Sequence, residues 1–62
     1  MATSTTARQI FADAHSIAGD ELRAHTSGDL HAAAELAVEA GDAKIACRLA
    51  YYAGMATVLE DL

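Results

Sequence analysis

Three Gly-Asp pairs, Gly19-Asp20, Gly28-Asp29 and Gly41-Asp42, punctuate an alanine-rich chain that contains no proline. Glycine tolerates the left-handed backbone that closes a helix, and aspartate accepts the free N–H groups that open the next one. A Gly-Asp pair can therefore end one helix and begin another within two residues, and links this short set neighbouring helices antiparallel. Between the pairs, alanine has the best helix propensity and no proline interrupts. β-branched and aromatic residues are sparse and no run alternates with period two, which argues against sheet. The expected fold class is all-α.

The first helix is expected over residues 6–26, after a flexible lead at 1–5. Thr6-Ala7-Arg8-Gln9 fits a capping box, with Gln9 reaching back to the cap. Ile10, Phe11, Ala14, Ile17, Ala18 and Leu22 fall on one side of this helix. Arg8, Asp13, Ser16, Asp20 and Arg23 fall on the other, so the phase runs on through Gly19 and favours one helix, with a bend or break there as the alternative because glycine inside a helix costs about 1 kcal/mol. Asp29 is expected to cap a short second helix over 30–40 that buries Leu30, Ala33, Ala34, Ala37 and Ala40. Gly41 stops it, and Asp42 caps a third helix over 43–61. The result is a small three-helix domain with a long first helix and an antiparallel hairpin of the second and third. An alanine face on the second helix allows close approach of its neighbour.

Leu30, Ala34, Gly41, Asp42, Ala46 and Ala53 stand in the register of one tetratricopeptide unit, which the hairpin resembles. The resemblance covers the C-terminal half, without a second repeat and with the aromatic positions of the pattern unfilled. It implies a close-packed helix–turn–helix and is read as shared hairpin packing rather than as family membership.

The third helix carries the most informative pattern. Ile45, Leu49, Tyr52, Ala56 and Leu59 form one apolar stripe, the inner one, with Tyr52 expected to pack internally after Ile45 and Leu49, and Tyr51, Met55, Val58 and Leu62 form a second beside it. Together they span about 180°, against the ~100° that facing one core requires. A chain of 62 residues buries only about 60% of its unfolded surface, so a domain this small commonly depends on a staple. Cys47 is the only cysteine, which excludes a disulfide within the chain, and no paired Cys/His spacing points to zinc. Self-association is the remaining staple. The expected contact residues are Arg48, Tyr51, Met55, Val58 and Leu62, and a homodimer is the favoured assembly.

The charge pattern excludes several function classes. A formal net charge of −5, with Arg8, Arg23, Lys44 and Arg48 scattered, is unlike a nucleic-acid binder or a protein of anionic membrane surfaces. No apolar run approaches the ~20 residues of a membrane span, and the first residues lack a secretory signal pattern, so a cytoplasmic location is expected. His15, His25 and His31 have no i, i+4 pairing suited to a metal. Cys47 reads as a half-buried structural thiol. Glu35 with Glu39, and Glu60 with Asp61, lack the desolvated pocket that acid–base catalysis needs. No enzymatic activity, cofactor or metal is expected. The sequence instead reads as an acidic interaction module, an adaptor, inhibitor or accessory regulator of bacterial or phage type. Two alternatives remain. His31, Glu35 and Glu39 could form an acidic face that occupies a basic nucleic-acid-binding surface on another protein, or the chain could be a structural subunit of a larger assembly.

Overall fold

The computed structural model describes residues 5–16 and 19–62. Among them the chain is helical and contains no strand. Helix α1 spans Thr5–Asp13, α2 Gly19–Arg23, α3 Ser27–Glu39 and α4 Ala43–Glu60. Of the flexible lead expected at residues 1–5, Thr5 opens α1 and the rest lies outside the described residues.

The long first helix expected over 6–26 is two helices. The Ala14 N–H donates to the Phe11 carbonyl at 3.3 Å and the Ser16 N–H to the Asp13 carbonyl at 2.9 Å, so the chain tightens into i→i−3 bonds. The Ser16 hydroxyl donates to the same Asp13 carbonyl at 3.1 Å, a local bond that competes with helix continuation. Gln9 does not reach back to a cap. Its Nε2 donates forward to Asp13 Oδ2 at 2.7 Å. Gly19 is the first residue of α2, and a methyl group there would overlap the Tyr52 hydroxyl. Glycine at this position serves close approach to α4. Ile17 and Ala18, expected on the apolar side of the first helix, lie outside the described residues.

The cap of α3 is Thr26, whose extended backbone and Oγ1, accepting from the Asp29 N–H at 3.3 Å, replace the cap expected from Asp29. Asp29 sits within the first turn, where its charge faces the positive end of the helix dipole. Thr26-Ser27-Gly28-Asp29 is itself a capping-box sequence, so Gly28-Asp29 lies inside α3 and does not precede it. At the other end Gly41 adopts φ +77°. Its N–H donates to the Val38 carbonyl at 3.0 Å, and the Asp42 N–H to the Ala37 carbonyl at 2.9 Å. This bonding pattern is the Schellman closure. Asp42 then caps α4 as expected, its Oδ1 accepting from the Ile45 N–H at 3.2 Å. Asp42 Oδ2 lies 3.1 Å from His15 Nε2, which ties the turn after α1 to this corner.

Helices α3 and α4 make the most extensive contact, α1 packs chiefly on α3 and the short α2 on α4. Apart from Ile10, Leu22, Leu30, Ile45 and Leu49, every buried core residue among those described is alanine, and no polar side chain is buried. Ala40, expected inside, is exposed. The Cα extents of 32 × 27 × 16 Å correspond to about two helix layers at 8–10 Å between axes. Each helix thus keeps an outward side.

With so few large side chains inside, each one matters. Leu49→Ala is expected to cost about 2–5 kcal/mol, a large share of what a core of this size supplies, and chemical denaturation followed by circular dichroism measures it. Gly41→Ala is expected to cost about 1–2 kcal/mol from the left-handed backbone alone, read from the same unfolding curves.

Candidate protein-interaction surface

The side of α4 turned away from α3 is rich in hydrocarbon. Tyr51 is 65% exposed, Val58 62% and Leu59 58%, with Met55 half-buried and Gly54 exposed beside them. Tyr51, Gly54, Met55, Val58 and Leu59 line one open apolar depression. Leu62 is exposed one turn further on. Leu59 was expected on the inner stripe. It stands outside because the core reaches α4 through Ile45, Ala46, Leu49, Ala53 and Ala56, which centres the buried arc nearer Ala53 than Leu59.

Two aromatic contacts give the surface its shape. The Tyr51 and Tyr52 rings meet edge to face, centroids 5.3 Å apart and planes at 79°, an arrangement favoured by the ring quadrupoles. The Arg48 guanidinium carbon lies 5.9 Å from the Tyr52 ring centroid, within reach of a cation–π attraction. Tyr52 is half-buried against the core, as its place in the inner stripe implied. Arg48, Tyr51, Met55 and Val58 therefore lie along one side of α4, with Arg48 toward its N-terminal end, and Leu62 follows two residues beyond the helix. Cys47, expected to be half-buried, is exposed and lines a shallow groove with Val38, Gly41, Ala43 and Ala46.

The acidic stripe lies on a different helix. His31, Glu35 and Glu39 are all exposed on α3. His25 lines a cleft with Thr5, Thr6, Gln9, Ile10, Asp13 and Glu21, and His15 is engaged by Asp42. Among the described residues no group of three His, Cys, Asp or Glu side chains is placed to hold a metal ion. None of the described helices is long and apolar enough to cross a membrane.

Glu60 has a role that its place near the chain end did not suggest. Its Oε2 accepts from the Ser27 N–H at 2.9 Å and its Oε1 from the Ser27 hydroxyl at 2.6 Å. The carboxylate of the last turn of α4 thus closes the first turn of α3, where free N–H groups favour an anion. The Ser27 hydroxyl, then its N–H, holds the Glu60 carboxyl below the usual glutamate range. A charge in the last turn of one helix and a serine at the start of another are the only sequence signal for this pairing, and it is a common one.

Comparisons with protein-family models, with curated proteins and with solved structures found no match to this chain.

Because the folded-state pKa of Glu60 is depressed, the stabilisation it brings is present above the ordinary glutamate range and fades as the pH falls through the lower folded value. Glu60→Gln is therefore expected to be less stable than the parent near neutrality. The gap should close in acid, as followed by thermal unfolding across a pH series.

Proposed function

We propose that this chain is a non-enzymatic protein-interaction module that acts as a homodimer through the outer side of α4, in the role of an adaptor, inhibitor or accessory regulator. The observation that carries the reading is the contiguous exposure of Tyr51, Val58 and Leu59 around Met55 on a domain whose own core is largely alanine. Tyrosine and methionine are enriched in protein contacts, the first for rigid amphipathic area and the second for adaptable packing. A second copy offers the same patch in return, as a two-fold interface requires.

Met55→Glu places a charge in the middle of the depression. Sedimentation equilibrium is expected to register at least about a tenfold loss of self-association, some 1.4 kcal/mol, while far-ultraviolet circular dichroism keeps its helical signal. A parent chain that remains monomeric at high concentration would remove the reading, and so would a Met55→Glu variant that dimerises unchanged. A second reading draws on the exposure of His31, Glu35 and Glu39 along α3, a negative strip suited to a basic protein surface. Combined Glu35→Lys and Glu39→Lys leaves dimerisation intact under the first reading and abolishes capture of a basic nucleic-acid-handling protein under the second.

A further inference from the structure

The last turn of α4 has no hold on the core. Ala56 is the last buried residue of the helix, and residues 57–62 are all exposed. The helix closes on Asp61 in a right-handed conformation, without the left-handed closure that Gly41 gives α3. No basic residue stands in that turn to complement the negative end of the helix dipole. A helix end of this kind frays readily. Yet Val58 and Leu59, two of the residues that line the outer depression, belong to it.

Two hydrogen bonds join this turn to another helix. The Glu60 carboxylate, which would oppose the dipole of its own helix, accepts instead from the Ser27 N–H at 2.9 Å and the Ser27 hydroxyl at 2.6 Å. There it meets the positive end of α3. We infer that Ser27 and Glu60 are positioning residues for the outer surface of α4, a clasp that keeps Val58 and Leu59 in helical register with Tyr51 and Met55. Ser27 does not itself line the depression, so the start of α3 controls a surface it does not form. The inference rests on the homodimer reading above and adds what regulates that face. With the clasp open, the last turn unwinds part of the time, and only the wound fraction presents the whole depression. The apparent affinity of the face falls in proportion to that fraction.

Amide hydrogen exchange followed by nuclear magnetic resonance, together with sedimentation equilibrium, tests the clasp in Ser27→Ala, Glu60→Ala and the double variant. Ser27→Ala deletes the hydroxyl bond and leaves a good helix former in the first turn of α3. In each single variant the amides of residues 59–62 are expected to exchange about threefold faster and the dissociation constant to rise about threefold, the scale of an exposed charged contact. The amides of Tyr51, Tyr52 and Ala53 should keep the parent rate. Ser27→Thr retains the hydroxyl and is expected to behave as the parent. Once Glu60 is gone the Ser27 hydroxyl has no carboxylate to meet, so the double variant should match Glu60→Ala. Unchanged exchange in Ser27→Ala, or additive effects in the double variant, would overturn the inference and leave the homodimer standing. Faster exchange with an unchanged dissociation constant would also overturn it, by separating the last turn from the contact. A monomeric parent would remove the homodimer reading, and with it the role of the clasp in association.

Discussion

The close approach of α3 and α4 is the contact on which the rest of the fold depends. Their facing sides are lined by Ala33, Ala34 and Ala37 on one helix and Ala46, Ala53 and Ala56 on the other, so little side chain holds the axes apart. Each end of the hairpin is fixed by a carboxylate at a helix N-terminus. Asp42 caps α4 from its own chain position, and Glu60 reaches from the end of α4 to the first residue of α3. Both carboxylates satisfy N–H groups that would otherwise lack intrahelical partners. The antiparallel register is therefore determined at both ends by hydrogen bonds and in the middle by shape.

Alanine that draws two helices together hides little hydrocarbon, about one methyl group per residue. The larger apolar side chains that do enter the core, Ile10, Leu22, Leu30, Ile45 and Leu49, come from all four helices and fill the spaces that α1 and α2 leave above the hairpin. Because α1 turns away after Asp13 and α2 is short, neither extends along the far side of α4. Tyr51, Val58 and Leu59 are left outward for that reason. The proposed dimer would complete burial that the alanine hairpin does not achieve alone.

The helical period and the Gly41-Asp42 corner were legible in the sequence because both act locally. A left-handed glycine followed by a capping aspartate needs no distant partner, and the inner stripe through Ile45, Leu49 and Tyr52 is a matter of spacing. The division of the first helix was only half legible: glycine at position 19 left a break open, but the apolar phase of Ile10, Ala14 and Leu22 continues across it. What ends α1 is a serine hydroxyl bonding to the Asp13 carbonyl, and what places Gly19 is the approach of Tyr52 from another helix. Thr26 was recoverable, since Thr26 and Asp29 stand at capping-box spacing. Glu60 was not, since its partner lies 33 positions away. On the outer side of α4 the exposed set was readable from its angular excess. The placement of Leu59 was not, because it depends on which alanines α3 brings against the helix.

Tyr52 links the interior to the outer surface. Its hydroxyl end lies against Gly19 at the start of α2, one face looks toward the Arg48 guanidinium, and its ring meets Tyr51 edge to face. Arg48 and Tyr51 are both exposed on the outer side of α4. The position of α2 and the orientation of these two residues therefore depend on the same ring. A side chain larger than hydrogen at position 19 would press on that ring from the inside, and the displacement would pass to Tyr51 and Arg48 through direct contact. On this geometry the glycine that opens α2 also bears on the shape of the outer side of α4.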